Sequence, residues 1–347
     1  MIASMTTSDL QTLVRFDEYA VTPKYRQLMH AIIKEIENGK LCKNDSLPSV
    51  NALSYEFDIC WQTAKKGNEQ LKSQGIIGSV PGKGYYVKTA TLEPTSRVLL
   101  LFNNLSAHEK IIYDAIVKTL ADQAIVDLYV YNNDLTFFRK LLDNCQGEYD
   151  YYVILPHFIE GYDTAHDPIN TIPKEKLILL DKIIPGVTDD FAAVYENFEE
   201  DIYAALQQSL KQLEKYHTIK IVYPENDFYP KEILKGFTSF CKDYAFNYKV
   251  VHDLHRESFS AGEVYINLAD DELITLIECM IPTKLTIGKE VGIISYNETP
   301  LKKIILNGIT TISTDFEMMG IETARMITEK SRRKIRVPFT LNLRASL

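Results

Sequence analysis

The sequence predicts a multi-domain protein: an N-terminal winged helix-turn-helix followed by an α/β region of two lobes. Three observations carry this. Residues 47–87 place two short helix signals around a tight break and follow them with a glycine-centred hairpin signal. Beyond residue 97 strand and helix signals alternate, in two successive sets. The chain, at 347 residues, is too long for one typical domain and long enough for several substantial cores. The expected division is a leader over residues 1–21, the winged helix-turn-helix over 22–88, a linker over 89–96 marked by Glu93-Pro94-Thr95-Ser96, and a two-lobed domain over 97–347.

In the leader nothing signals function. Tyr25, Leu28, Ile32, Ile33 and Ile36 then recur at helical spacing, and Gly39 ends that helix. Ser49, after Leu47-Pro48, can accept a bond from an unpaired N–H of the next turn, so a helix is expected from Val50 to Phe57. Asp58-Ile59-Cys60 breaks the period. A second helix from Trp61 to Gln74 carries Ala64, Asn68 and Leu71 on one face and stops at Gly75. Two β-prone runs, residues 76–80 and 85–87, flank Pro81-Gly82-Lys83-Gly84, a turn with a lysine at its tip.

Charge placement gives that fold a use. Residues 22–88 hold ten Lys/Arg against six Asp/Glu, a net of +4 within a chain of net −9. A recognition helix shows its N-terminal residues to base edges while lysines and N–H groups meet phosphates. Gln62, Thr63, Lys65 and Lys66 stand where this requires, with Gly82, Lys83 and Gly84 at the wing. Double-stranded DNA is therefore the expected partner of this end. The plain alternative is a solvated amphipathic helix pair beside an unrelated hairpin.

The α/β region reads as strands at 98–102, 126–131, 151–155 and 177–180, with helices at 109–123 and 136–145. A second set follows: a long helix over 198–216, strands at 219–223, 249–251, 264–267 and 291–296, and helices at 231–244 and 271–280. Such alternation implies parallel sheets covered on both faces, and ligands then bind outside the carboxyl ends of the strands. At those ends stand Asn103 and Asn104, His157, Asp181, Tyr229, Asp270 and Asn297. Acids and amides bond hydroxyls while aromatic rings cover an apolar sugar face, so the set suits a polyhydroxylated ligand. Asp and Asn also favour loops and caps for purely local reasons.

Two resemblances extend these readings. Thr22-Pro23-Lys24-Tyr25-Arg26-Gln27, Gly39-Lys40-Leu41, Leu47-Pro48-Ser49, Leu53, Thr63, Leu71, Gly75-Ile76-Ile77 and the run from Gly82 to Val87 resemble the GntR-type DNA-binding domain over its full length. The resemblance adds Ser49, Asn51 and Trp61 to the expected DNA-facing set. It departs where the family usually has arginine, at Asn51, Trp61 and Lys65; lysine keeps the charge but loses the planar fork that reads guanine. The run from Thr286 to Pro300, then Gly308 to Ile312, Phe316 to Gly320, Val337-Pro338-Phe339 and Leu343 to Ser346, resembles the sugar-binding domain of LacI/GalR repressors. That resemblance implies a periplasmic-binding-protein-like fold whose lobes close on an effector. By motif it maps effector contacts onto Asp181, Asp270, Asn297, Thr314 and Phe316. The family's usual arginine is absent at Ile233, and Lys231 is the nearest substitute.

Other classes are less well served. No GxGxxG, GxxxxGK[ST] or GxSxG occurs. His252 and His255, or Asp270-Asp271-Glu272, are the only metal-like groupings, and a solvent-facing histidine pair is the simpler reading. The region after the linker is short for the aminotransferase-like fusions known among GntR proteins. Five cysteines without metal spacing suit a reducing compartment. No run approaches a membrane span and no signal peptide is visible. The combined expectation is a cytoplasmic, homodimeric regulator, a repressor by resemblance, binding operator DNA and a monosaccharide or its phosphate, with no cofactor, metal or membrane. An enzyme acting on a small sugar-like substrate and a regulator with a non-sugar effector are the alternatives.

Overall fold

The computed structural model describes residue 16 and residues 19–82, 84–89, 96–145, 147–188, 190–224 and 229–347. The chain forms two compact units. One comprises Met1–Phe102, Ala121–Val130 and Asp143–Tyr152; the other comprises Asn103–Leu120, Tyr131–Leu142 and Val153–Leu347.

The first unit contains α1 (Lys24–Glu37), α2 (Val50–Glu56), α3 (Trp61–Ser73) and the hairpin β1 (Ile77–Val80) and β2 (Gly84–Val87). Ser49 caps α2 by accepting a 3.1 Å bond from the Ala52 N–H. Past the end of α3 the Gly75 N–H bonds the Lys72 carbonyl and the Ile76 N–H bonds that of Leu71. This closure needs a left-handed residue, and Gly75, at φ +74°, supplies it without Cβ strain. Leu28, Ile32, Leu53, Ala64, Leu71 and Val87 form one core under the helices. The hairpin is antiparallel, with Ile77 opposite Val87 and Val80 opposite Gly84.

The same unit includes β3 (Ser96–Phe102) and β4 (Ala124–Val130), which pair in parallel. Ile125 of β4 belongs to the core of the helix-turn-helix. The Val21 N–H bonds the Leu128 carbonyl at 2.8 Å, and Ala20 pairs antiparallel with Tyr129. Buried Asp127 is the polar centre of this join. It accepts from the Thr22 hydroxyl at 3.2 Å and the Tyr149 hydroxyl at 3.0 Å, with His30 at 3.5 Å and Arg97 at 3.7 Å. Burial works against its charge, yet His30, Tyr149 and Arg97 hold the carboxyl below its ordinary range.

Two six-stranded sheets build the α/β region, in the orders β13-β7-β6-β5-β3-β4 and β14-β12-β11-β10-β8-β9. The strands not yet placed are β5 (Tyr151–Ile154), β6 (Leu177–Asp181), β7 (Ala192–Tyr195), β8 (Thr218–Val222), β9 (Asn247–Val251), β10 (Glu263–Asn267), β11 (Val291–Tyr296), β12 (Thr310–Thr314), β13 (Lys334–Arg336) and β14 (Phe339–Asn342). In the second sheet β8, β9, β10, β11 and β12 pair in parallel, and β14 closes its edge antiparallel to β12. Parallel pairing leaves both faces to be covered, and the central strands β6 and β11 are accordingly buried along their whole length.

In the second unit, α4 (Ala107–Leu120) packs on α9 (Phe316–Thr328), and α6 (Phe198–Gln208) on α7 (Lys231–Asp243). The α6–α7 approach is set by Gly236, where a Cβ would lie 2.1 Å from the Glu199 carbonyl oxygen. Also in the region are α5 (Leu135–Cys145), α8 (Asp270–Met280) and a five-residue helix at His166–Asn170. The helix expected over 198–216 is interrupted: α6 ends at Gln208 and a short turn, Leu210–Leu213, follows. Ser209 is the cause. Its hydroxyl donates to the Leu206 carbonyl at 2.9 Å and its backbone leaves the helical range at ψ 7°. The strand β7, only Ala-Ala-Val-Tyr, was not foreseen at all.

Candidate functional site

The DNA-facing candidates sit on α2, α3 and the hairpin. Trp61 and Gln62, at the start of α3, are exposed, Trp61 by 45%. Thr63 and Lys65 are half-buried, and Lys66 and Asn51 are exposed. The Lys65 ammonium stands 5.1 Å from the centre of the Trp61 ring and 3.6 Å from Glu69. That of Lys66 lies 4.1 Å over the Tyr25 ring of α1. The Ser49 hydroxyl is occupied as a helix cap. Gly82 and Gly84 form the turn at φ +77° and +92°, while Lys83 lies outside the described residues.

The second unit holds a cavity of about 450 Å³ at the strand ends. Asn103, Asn104, His157, Asp181, Tyr229, Asp270, Asn297 and Phe316 line it, so residues from Asn103 to Phe316 converge there. Two expected contacts are not in the lining. Lys231 is exposed at the first position of α7, and Thr314 is buried in β12. Thr314 acts one step behind the wall: its hydroxyl donates to Glu196, which lines the cavity, at 2.5 Å. Asp181 and Asn297 take left-handed backbone conformations, φ +66° and +60°, as they leave β6 and β11.

Glu196, His108, Glu109 and Tyr296 also line the cavity and escaped the sequence reading. Glu196 follows the unforeseen β7. For Glu109 a signal existed: Ser106-x-x-Glu109 is a capping box, and the carboxylate indeed accepts from the Ser106 N–H at 2.8 Å. His108 stacks on Phe316 with ring centres 5.0 Å apart, giving the cavity an aromatic wall. Lys302 was missed too. It is only 2% exposed, pairs with Asp270 at 2.7 Å, and donates to the Tyr296 and Asn297 carbonyls at 2.8 Å each.

The carboxyls fall into different states. Burial and the neighbouring Asp181 charge push Glu196 well above the usual carboxylate range. Burial opposes ionisation of Asp181 as well, but hydrogen bonds from Glu196 and from His157, at 2.5 Å, hold it below that range. Glu109, against burial, is lowered to about 2 by His108 and Ser106. The His108 imidazole is raised, Glu109 outweighing burial. Two buried polar atoms of lining residues have no partner: Asn103 Oδ1 and the Tyr296 hydroxyl. Such groups cost stability unless something else bonds them. Glu298, next to Asn297, is instead tied to Arg344 at 2.9 Å and to Thr311, and holds the last strand.

His252 and His255 are exposed, and His252 Nδ1 stands 2.6 Å from the Tyr223 carbonyl oxygen. Among the described residues no cluster of His, Cys, Asp or Glu is arranged to hold a metal ion. Nor is any helix among them long and apolar enough to cross a membrane.

The chain thus contains a winged helix-turn-helix and an α/β region with a polar cavity at its strand ends. Residues 24–87 match the gntR family of bacterial regulatory proteins. The mannosyl-D-glycerate transport/metabolism system repressor MngR of Escherichia coli is 31% identical over 108 residues, which cover 31% of this chain and 37% of that protein. The chain thus spans little more than a third of that curated relative. Among solved structures, the trehalose repressor from E. coli superimposes with a TM-score of 0.60 at 15% identity, covering 72% of this chain and all of that one. A LacI family transcriptional regulator from Enterococcus faecium, with bound ribose, gives 0.57 at 21% identity, covering 72% and 98%. The protein therefore joins a GntR-type helix-turn-helix domain to an α/β domain of the LacI and periplasmic-binding-protein fold.

Proposed function

We propose that the protein is a sugar-responsive transcription regulator, a repressor, that binds a pseudo-palindromic operator as a homodimer in the cytoplasm and performs no catalysis. The observation that carries this is the cavity at the strand ends, where carboxyls, amides and the stacked His108 and Phe316 rings line one space. Asn103, Asn104, His157, Asp181, Glu196, Tyr229, Asp270, Tyr296, Asn297 and Phe316 are the proposed effector contacts. Ser49, Asn51, Trp61, Gln62, Thr63, Lys65, Lys66, Gly82, Lys83 and Gly84 are the proposed DNA contacts. Effector binding favours one arrangement of the domain, and differential operator affinity of the two arrangements turns that into regulation.

The test begins with selection of bound fragments from genomic DNA, followed by titration of the selected operator with and without sugar. Weaker operator binding in the presence of sugar is the expected result. Equal affinity would overturn the regulatory reading, and turnover of the sugar by purified protein would make it an enzyme.

A further inference from the structure

Large apolar side chains left in water are gathered on one side of the second unit. Fifteen are exposed among the described residues, and five of these fall within residues 274–306: Ile274 at 52%, Ile281 at 71%, Leu301 at 62%, Ile304 at 76% and Leu306 at 39%. Ile274 and Ile281 stand two turns apart on one face of α8, Ile281 keeping helical dihedrals as its cap. The other three belong to two single-turn helices after β11, Leu301–Lys303 and Ile305–Asn307. These stretches are neighbours. Ile277 and Ile305 pack on one buried cluster with Leu273, Leu276 and Ile309, and the Lys302 ammonium reaches Asp270 of α8 at 2.7 Å. Leu306 is held at φ +53°, a conformation leucine rarely takes, and is still exposed.

Single exposed hydrophobes are ordinary, whereas a contiguous group of them marks a contact surface. We propose that the outer face of α8 together with residues 301–307 is where a second copy of this chain docks, about a two-fold axis. This gives the homodimer proposed above its contact surface and rests on that part of the reading. Area favours a second copy as the occupant. The five side chains expose roughly 500 Å² together, at the upper end of the largest patches usual on monomers. Two copies would therefore bury roughly 1,000 Å² of apolar surface, and at about 60–65% apolar content the whole contact comes to roughly 1,600 Å², the size of a stable specific interface. Charge is also arranged for self-association. A two-fold contact sets the patch against itself, so it must be its own complement. The exposed charges on α8 that pair with no described residue are acidic, Asp271 and Glu278, while that on residues 301–307 is Lys303. Turning one copy onto the other can bring the acidic helix of each toward the lysine of its partner, with the isoleucines and leucines enclosed between them.

The experiment is sedimentation velocity on the full-length protein, without DNA or effector, over a dilution series from high to low micromolar concentration. The unsubstituted chain should sediment as a dimer that dissociates on dilution or not at all. Ile281→Asp combined with Ile304→Asp should weaken self-association at least about a hundredfold. Both side chains already face water in the single chain, so the fold is kept, and circular dichroism checks this. Lys303→Glu makes the unpaired charges of the patch uniformly acidic and should weaken association by about tenfold, more at low salt than at high. Ile159→Asp and Tyr248→Asp, exposed elsewhere in the same unit, should leave the dimer intact. A dimer that survives Ile281→Asp with Ile304→Asp, or one lost equally in the two control variants, would overturn this surface while leaving the homodimer. An unsubstituted chain that stays monomeric at every concentration would overturn the homodimer and this inference with it, the patch then belonging to a different protein.

Discussion

The proposed DNA-facing surface and the proposed effector cavity are built over very different lengths of chain. The first is gathered from residues 49–84 and positioned by neighbouring helices, a Ser49 cap and a Gly75 terminus. The second draws on residues from Asn103 to Phe316 that meet only when two sheets have formed. A local surface depends on a few short-range signals, each readable in sequence. A convergent one depends on every strand end arriving in register, so a single missed strand hides a contact. Yet the contrast is incomplete, because the helix-turn-helix shares its core with Ile125 and its polar join with Asp127, both on β4.

The largest expected effect tests that exception. Asp127→Ala leaves His30, Arg97 and Tyr149 around a vacated buried position, and should cost about 3 kcal/mol of unfolding free energy. Loss near zero in denaturant titration would show the helix-turn-helix to be self-contained. The same carboxylate has a pH signature. Its folded pKa is depressed, so its stabilisation is present above the unfolded value of about 4 and is lost as pH falls through the folded value. Acid titration of Asp127→Asn should lack that component.

Next in size are the cavity variants. Asp181→Ala and Asp270→Ala should each cost about 1–3 kcal/mol in effector affinity, one to two decades, with operator affinity kept. Parallel loss of both affinities would mean that the two regions cannot be separated by mutation. Smaller effects belong to single phosphate contacts. Lys65→Ala or Lys83→Ala should reduce the salt slope of operator binding by about 0.9 each, measured as log affinity against log salt. Unchanged slopes in both would remove this face from the interface. The least demanding observation is optical: exposed Trp61, the one tryptophan in the chain, should change its fluorescence when operator is added. A silent titration under saturating DNA would take Trp61 out of the contact surface.

Where sequence reading worked, its signals were local or strongly periodic. The caps and breaks at Ser49, Asp58 and Gly75 give α2 and α3 nearly residue by residue. Most strand ends were visible because long apolar runs stop abruptly at polar residues such as Asn103, Asp181 and Asn297. Failures have equally definite causes. The periodicity of residues 198–216 continues through Ser209, whose side chain bonds its own helix and breaks it. Strand β7 is too short to show a period, and Glu196 was lost with it. Lys231 is near the missing arginine in sequence, but as the first residue of α7 it is exposed and does not line the cavity.

By itself the sequence determined the helix-turn-helix, its basic character, the alternation that demands parallel sheets, and the acids and amides waiting at strand ends. These follow from backbone preference, periodicity and charge, which act within a few turns of chain. Only the tertiary structure decided which of those groups share a cavity and in what charge state. Glu196 is pushed above the usual carboxylate range because folding buries it beside Asp181, and Asp270 is paired because Lys302 is buried against it from the far side of β11 in sequence. Ionisation depends on burial and on partners brought from distant positions, so no local pattern could have assigned it.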